Sequence, residues 1–365
     1  MSSLTASRGG TVRAFEGLRA VAILIVIFHH LLPDDVLGGG VEAFFVLSGY
    51  LITTILIREY TKTGAIKFGR FLYRRLLRLY PGLITTVLLV SIGLVIIGEF
   101  RFAVEQAAVA STYLFDLYLP ITGRPIGALG HTWSLGLEQQ FYLTWPFVVF
   151  ALMRYVRRPS VRLSVATGLA VITFALQLAM GSNDHNFSPP ARMAALAFGC
   201  ALGFLLARRR IVLHRVALWL ATAAYVAMTV LVDVTHTLSH AWVRPVAELS
   251  ALAVVWVLAT AGDHRVGLLT NRVAVHLGSI SYGLFLWHFP IFYFFFHADA
   301  PLWLTAAVGL PLTLGLAELS RYLVELPFLR FKDRPIPQLR FRRTAVVPDP
   351  NRMTDPEPTA VATRT

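Results

Sequence analysis

The stretch FEGLRAVAILIVIFHHLLP, residues 15–33, decides how the rest of the chain is interpreted. It is apolar and long enough to cross a bilayer as a helix, for which about 20 residues suffice. It nevertheless carries Glu16 and Arg19 near one end and His29 and His30 near the other. Ionisable groups inside a membrane helix are costly, and they usually face a polar interior rather than lipid. The stretch therefore predicts a membrane helix that carries functional residues.

The composition extends this prediction to the whole chain. Of the 365 residues, 56% are hydrophobic and only 15% are charged, and the mean hydropathy is +0.63. A soluble domain has about 25% charged residues, so this composition is typical of a membrane protein. With apolar runs recurring along the chain, we predict an all-α fold class, a polytopic membrane helical bundle. The formal net charge of +13 lies mainly in short loops that orient helices and meet the lipid bilayer. Nucleic-acid binding is excluded, because no basic-plus-aromatic groove pattern accompanies the charge.

About ten transmembrane helices are predicted from apolar runs long enough to span. A weaker run near 103–120 contains Glu105, Gln106 and Asp116. Leaving that run out places every basic cluster on one side of the membrane, as the positive-inside rule requires, with both termini cytoplasmic. Residues 99–131 then form an outer loop with an interfacial or re-entrant segment. The ten runs are 17–32, 41–57, 79–98, 133–153, 163–180, 191–206, 212–232, 246–261, 273–295 and 302–324.

Three regions follow from this topology. Residues 1–13 form a cytoplasmic N-terminus, and residues 14–330 form the transmembrane domain. Residues 331–365 are rich in proline, threonine and charge, so we expect a disordered cytoplasmic tail.

Arg19 and His30 share one face of the first helix. They are eleven residues apart, which is close to three full turns and about 16 Å of rise, whereas His29 points about 100° away from His30. A shared face predicts a shared polar cavity, with Arg19 near its cytoplasmic end and His30 toward its outer end. Taken singly, each has a simpler interpretation: Arg19 snorkels to the interface, and His30 is an interfacial histidine near a helix end.

Arg74, Arg75 and Arg78 crowd one helical turn at the cytoplasmic edge of the third span. Anchoring by the positive-inside rule explains them. A phosphate clamp explains them equally well, because arginine presents a planar fork of donors to phosphate oxygens.

A polar stripe follows the spacing i, i+3, i+7 at the start of the span 133–153: His131, Ser134 and Glu138. It enters from the outer side, at the level of His30. A carboxylate beside an imidazole fixes its tautomer and raises its basicity, so His30 with Glu138 or Glu42 is a candidate catalytic pair. The spacing does not choose between the two carboxylates, and Glu138 alternatively bridges two helices by a hydrogen bond.

Two further residues are weaker candidates. His288 either lines an acceptor site or caps a bend before Pro290. Arg192, which opens the sixth span, has no partner nearby in the sequence.

Several stretches resemble motifs of the acyltransferase-3 family of integral-membrane O-acyltransferases. EGLRAVAILIVIFHH (16–30) is similar to the family's signature of a basic residue, ten residues and a histidine, which Arg19 and His30 fit. GGGVEAFFVLSGYLIT (38–53) resembles its second-helix motif, with Glu42 where the family usually has aspartate.

The resemblance continues toward the C-terminus. FLYRRLLRLYPGL (71–83) is similar to the family's Arg-x-x-Arg stretch, which Arg75 and Arg78 fit, and ISYGLFLWHFP (280–290) and VELPF (324–328) resemble its late-helix signatures.

A further match is HTWSLGLEQQFYLTWP (131–146), in which Glu138 fits the first of two adjacent glutamates and Gln139 replaces the second. Together the matches run from about residue 15 to 328, nearly the whole hydrophobic region.

The resemblance implies an O-acyltransferase that takes a short acyl group, expected to be acetyl, from acyl-CoA. The expected acceptor is a hydroxyl of a surface glycan, glycolipid or cell-wall precursor, or of a hydrophobic small molecule such as a macrolide. Acyl-CoA is a donor substrate, so no resident cofactor is expected. No metal is expected either, because no ligand spacing appears and Cys200 is the only cysteine. The expected location is the plasma (inner) membrane of a bacterium, as a multi-pass protein.

The implied roles fall into three groups. His30 acts as general base or takes the acyl group itself, oriented by Glu138 or Glu42. The catalytic candidates are His30, Glu138, Arg19 and Glu42; those for binding the coenzyme A phosphates are Arg75, Arg78 and Arg74; those for binding substrate are Trp133, Ser134, His131 and His288.

A proton-coupled transporter or flippase of a lipid-linked or small organic substrate is the alternative. His30, Glu42, Glu138 and Arg19 would then form a proton or substrate path. The arginine-rich turn favours the enzyme, because a transporter has no evident need of a phosphate clamp there.

Overall fold

The computed structural model describes residues 3–32, 39–123, 127–180, 187–209, 211–212, 216–235, 242–260 and 267–332. Within these residues every regular element is helical, as the fold class predicts. Residues 1–332 belong to one compact unit. The predicted tail, apart from residues 331 and 332, lies outside the described residues.

The helices follow one another with short connections, and the last one contains two π-helical turns, Thr305–Gly309 and Arg321–Glu325. A 3₁₀ turn, Gly130–Thr132, leads into α6. The helices are α1 (Ser3–Leu31), α2 (Gly40–Thr63), α3 (Phe68–Ile96), α4 (Phe100–Ser111), α5 (Phe115–Thr122), α6 (Trp133–Tyr155), α7 (Pro159–Ala179), α8 (Pro189–Arg192), α9 (Ala194–Arg208), α10 (Val216–Thr235), α11 (Val243–Thr260), α12 (Gly267–Thr270), α13 (Arg272–Ser279), α14 (Ser281–His297) and α15 (Leu302–Leu329).

Each of the ten predicted spans overlaps one helix or, at 191–206 and 273–295, two consecutive helices. Fewer of them meet a strict test of length and apolar composition. Within the described part of the chain, six helices pass it, and a seventh is added if α13 and α14, which meet at a bend of 66°, form one broken span. A polytopic membrane bundle is therefore confirmed. The count of ten and the cytoplasmic position of both termini stay predictions.

The helix ends follow from local chemistry. The Oδ1 of Asn271 accepts a hydrogen bond from the Ala274 amide at 2.8 Å and thereby caps the start of α13. At the end of α2, Gly64 takes up a left-handed backbone with φ 70°, and its amide donates to the Tyr60 carbonyl at 2.8 Å. Between such ends the backbone groups are satisfied within each helix, which a bilayer requires.

Glycines bring α2 and α9 into direct backbone contact. A Cβ added to Gly49 would lie 2.1 Å from the Leu196 carbonyl oxygen, and one added to Gly199 would lie 2.1 Å from the Val46 carbonyl oxygen. Such small-residue crossings let membrane helices approach closely. The contact fixes the rotation of α2 and hence the directions of its polar side chains.

The segment 99–131 forms α4 and α5, of twelve and eight residues. At 1.5 Å per residue they are about 18 and 12 Å long, so neither reaches across a bilayer alone. α5 packs tightly on α6, because a Cβ on Gly136 would lie 2.5 Å from Oδ1 of Asp116, whose Oδ2 accepts a hydrogen bond from Gln140 at 2.9 Å. The interfacial or re-entrant placement of this segment stays a prediction.

Candidate active site

Four histidines from three parts of the chain form a histidine cluster: His29 and His30 at the end of α1, His131 before α6, and His288 in α14. The ring centroids of His30 and His288 are 5.2 Å apart, and those of His131 and His288 are 5.6 Å apart. Phe289 closes the cluster, with its ring 4.9 Å from that of His30 and 5.0 Å from that of His131.

Backbone carbonyls fix the tautomers of two of these rings. Nδ1 of His30 lies 2.8 Å from the Val26 carbonyl oxygen, and Nδ1 of His288 lies 3.0 Å from that of Leu284. A carbonyl oxygen only accepts, so both Nδ1 atoms donate and both Nε2 atoms of the neutral rings carry lone pairs. His288 Nε2 lies 3.3 Å from His30 Nδ1 and accepts a second hydrogen bond from the same N–H group, which is therefore bifurcated. His30 Nε2 is left as a base.

Burial distinguishes His30 from His131 and His288, while His29 is half-buried like His30. His288 is fully buried and His131 is 3% exposed, whereas His30 is half-buried. His30 is therefore the member of this trio that a reacting molecule reaches most directly.

A second group, the arginine–Glu138 cluster, consists of Arg19, Arg75, Arg78 and Glu138 with Ser48 and Tyr142. The Ser48 hydroxyl donates to Glu138, and the Tyr142 hydroxyl donates to Ser48 Oγ at 3.5 Å. The Arg75 guanidinium carbon lies 5.2 Å from the Tyr142 ring centroid and 5.6 Å from that of Phe71. Arg19 and Arg75 both interact electrostatically with Glu138 and Arg78.

The two clusters are the ends of one polar seam. Arg19 and His30 lie eleven residues apart on α1, and His131 and Tyr142 lie eleven residues apart at and in α6. Each separation corresponds to about 16 Å of helix. Because His131 meets the histidine cluster and Tyr142 meets the arginines, the two helices run antiparallel along the seam.

Glu42 belongs to a different set, the Glu42 network, in which Arg192 Nη1 and Arg244 Nε lie 3.7 and 3.9 Å from its Oε1. Glu248 is close enough to Glu42 to interact with it electrostatically, and its Oε2 accepts a hydrogen bond from Gln177 at 3.0 Å. All five side chains are buried, at 8% exposure or less. The network joins α2, α7, α8 and α11.

The structure does not bring His30 together with either predicted carboxylate. The His30 ring contacts histidines, Phe289 and the Val26 carbonyl. Glu138 instead contacts Ser48 and the arginines, and Glu42 contacts Arg192 and Arg244. The physical reason is separation along the helix axis: the spacing puts His131 and Glu138 on one side of α6, but about 10 Å apart, so that Glu138 lies at the level of the arginines.

Three other predicted residues lie elsewhere. Arg74 is exposed and donates from Nε to the Lys332 carbonyl at 3.4 Å. Trp133 lies in the Glu42 network, with the Arg192 guanidinium carbon 4.9 Å from its ring centroid. The Ser134 hydroxyl is buried and donates to the His131 carbonyl at 3.5 Å, so it supports the turn before α6.

Sequence reasoning missed Ser48, Tyr142 and the pairing of His288 with His30. Ser48 and Tyr142 lie inside the motifs quoted above, so their positions were a usable signal. His288 and His30 are 258 positions apart in the sequence, and no local pattern joins them.

Asp116 is a further buried carboxyl, on α5. Burial raises its pKa to about 6, and the hydrogen bond from Gln140 opposes that shift. Among the described residues, no group of three histidine, cysteine, aspartate or glutamate side chains has a geometry that could hold a metal ion.

Comparison with known proteins places the chain in a family. The model of the acyltransferase domain matches residues 12–319. The chain therefore belongs to the acyltransferase-3 family, as its motifs indicate.

Among the similar proteins, SACOL0978 of Staphylococcus aureus strain COL, provisionally named an O-acetyltransferase, is 27% identical over 92% of this chain and 61% of its own length. The O-acetyltransferase OatA of S. aureus strain MRSA252 is 27% identical over 91% of this chain and 60% of its own length. This chain thus spans about three fifths of the length of these relatives. No solved structure gives a significant match.

Proposed function

We propose that the protein is a membrane O-acetyltransferase that moves an acetyl group from acetyl-CoA to a hydroxyl group of a cell-envelope glycan, glycolipid or cell-wall precursor. A hydrophobic small molecule is a second class of acceptor. The observation that carries the proposal is the state of His30: its Nδ1 proton is held by the Val26 carbonyl and by His288, which leaves Nε2 as a base at a half-buried position. The names of the relatives support acetyl as the acyl group.

The proposed reaction uses His30 as general base. Its Nε2 takes the proton of the acceptor hydroxyl while the hydroxyl oxygen attacks the thioester carbonyl carbon. The carbon–sulfur bond breaks, and the imidazolium gives its proton to the leaving thiolate, which yields an ester and free coenzyme A. In the alternative course Nε2 itself attacks the thioester carbonyl carbon, the carbon–sulfur bond breaks and coenzyme A leaves as the thiolate. The acceptor hydroxyl oxygen then attacks the acyl group on the ring, the carbon–nitrogen bond breaks, and the hydroxyl proton passes to the thiolate, which again yields an ester and free coenzyme A.

The arginine–Glu138 cluster is the proposed donor end. Arg75 is held over Tyr142 and Phe71, and Arg19 and Arg78 lie close by, so this surface is suited to the phosphates of coenzyme A. The pantetheine arm would then follow the seam toward His30, over about 16 Å of helix. Glu138, hydrogen-bonded by Ser48, limits the positive charge at this end rather than orienting His30.

The experiment is acetyl transfer by the purified protein in vesicles, with labelled acetyl-CoA and a cell-envelope fraction as acceptor. His30→Ala is expected to lower the rate of protein-dependent ester formation by about 10²–10⁴-fold. His297→Asn, at an exposed histidine at the end of α14, is the matched control and should keep the wild-type rate.

Full activity of His30→Ala would overturn the role of His30. If wild-type protein transferred no label but moved a labelled substrate across the vesicle membrane, the transporter alternative would replace the enzyme. Label on the protein in the absence of acceptor, lost in His30→Ala, would identify the covalent course.

A further inference from the structure

A pocket of about 360 Å³ opens between the C-terminal halves of α2 and α9. Its volume falls within the range of small-ligand pockets, about 300–1,000 Å³. Ile57 and Leu206 contribute aliphatic wall, Tyr50 and Thr54 contribute hydroxyl groups, and Gly203 leaves room between the helices.

This pocket is separate from the candidate active site. Ser48, which contacts Glu138, and Ile57, which lines the pocket, are nine residues apart on α2. At 100° per residue they lie about 180° apart around the helix. The wall of the pocket therefore faces away from the polar seam, and the cations Arg58 and Lys62, ten and fourteen residues beyond Ser48, lie about 15 and 21 Å from it along the helix axis.

Two cations stand at the pocket. Arg58 and Lys62 both line it, both are exposed, and neither makes a salt bridge or side-chain hydrogen bond to another described residue. The neighbouring acid, Glu59, instead accepts a hydrogen bond from the Lys67 amide at 3.2 Å. Arg208, which directly follows the lining residue Ala207, adds a further exposed cation. The charge of this pocket is complementary to an anion.

The surroundings indicate the kind of anion. α2 is long and apolar enough to cross a membrane, and Arg58 and Lys62 lie in its last two turns. The adjacent Ile55 is 44% exposed, so the outer flank of the helix is apolar. Cations at the end of a membrane helix above an apolar wall fit a ligand with a phosphate head and a hydrocarbon chain.

We propose that this pocket binds an anionic phospholipid of the surrounding leaflet. The phosphate lies between Arg58 and Lys62, the hydroxyl groups of the wall meet the glycerol part, and an acyl chain follows Ile57 and Leu206 into the bilayer. The site is independent of the proposed acetyl transfer, because its residues take no part in the seam.

The test measures lipid binding by the full chain in detergent, by native mass spectrometry with phosphatidylglycerol and phosphatidylcholine. Wild-type protein should bind phosphatidylglycerol at least tenfold more tightly than phosphatidylcholine. The double variant R58Q/K62Q should lose that preference. The control R157Q/R158Q, which removes the same charge from the exposed loop between α6 and α7, should keep it.

A third variant tests whether lipid binding needs the space of the pocket as well as its charge. Ala207→Trp should fill the exposed mouth and weaken phosphatidylglycerol binding while both cations remain. Equal binding of the two lipids, or an unchanged preference in R58Q/K62Q, would overturn the proposal. Competition by glycerol 3-phosphate or coenzyme A at the same concentration as the lipid would also overturn it, because the site would then recognise a soluble phosphate.

Discussion

The histidine cluster and the Glu42 network are both polar groups buried among membrane helices, and they are built in opposite ways. In the Glu42 network, two arginines share a carboxylate, so charges are paired over 3.7 and 3.9 Å. In the histidine cluster, the ring protons of His30 and His288 go to backbone carbonyls, and each ring keeps a lone pair. A buried charge pair is costly to break, because removing one partner leaves the other uncompensated. A ring with an unprotonated nitrogen can take part in chemistry.

The largest effect is expected from breaking the Glu42 network. Glu42→Gln removes the charge that Arg192 and Arg244 share, and the loss should lower the free energy of unfolding by about 3–5 kcal/mol. Thermal unfolding in detergent measures it. Glu99→Gln, at an exposed glutamate, is the control. Unchanged stability with complete loss of acetyl transfer would instead make Glu42 the catalytic carboxylate that the sequence suggested.

A smaller effect is expected at the edge of the same network. Gln177→Leu removes the donor to Glu248 Oε2 and should destabilise the fold by about 1–3 kcal/mol. Thr173→Val, one turn earlier on α7, removes a hydroxyl that bonds only within its own helix, so it should have a smaller effect on the same unfolding curve. Equal effects of the two substitutions would contradict a connecting role for Gln177.

In the histidine cluster the prediction concerns rate rather than stability. His288→Phe keeps a ring but removes the second acceptor of the His30 Nδ1 proton, a hydrogen bond worth about 0.5–1.5 kcal/mol, and leaves the Val26 carbonyl as the remaining acceptor. The rate of acetyl transfer should fall by roughly 2–10-fold, with a changed pH profile of kcat and an unchanged KM for acetyl-CoA. His288→Gln, whose amide oxygen can accept, should restore part of the rate. An unaltered rate and pH profile in His288→Phe would exclude a positioning role.

Asp116 is a third kind of buried polar group, a carboxyl that accepts a hydrogen bond from the side-chain amide of Gln140. Its substitution is expected to have the smallest effect on stability of those considered. Burial raises its pKa from 3.8 to about 6, so the folded protein binds this proton more tightly than the unfolded chain does. The stabilisation is complete below pH 3.8 and is lost as the pH rises through about 6. Asp116→Asn should flatten the pH dependence of the unfolding midpoint in that window.

Asp299→Asn, at an exposed aspartate after α14, should leave the pH dependence of the midpoint as it is in the wild type. A pH dependence retained in Asp116→Asn would show that another group carries it.

Much of the site could be predicted from the sequence. The eleven-residue spacing on α1 favours His30 over His29, and the structure brings His30 within hydrogen-bonding distance of His288. The crowded turn at 74–78 predicts three arginines at one site, and the structure places Arg75 and Arg78 there with Arg19 and Glu138, whereas Arg74 lies elsewhere. The partner of His30, His288 on α14, could not be predicted in this way, because spacing along one helix does not say which residue of another helix it meets.

The sequence by itself determined the membrane bundle, the family and the residues that share a face within one helix. Hydropathy and the 3.6-residue period act along a single segment, so they can be read before any helix meets another. Only the tertiary structure decided that Glu42 joins two arginines and that His288 joins His30. Those pairings depend on how helices rotate and cross, and glycine contacts such as Gly49 against Leu196 set that rotation.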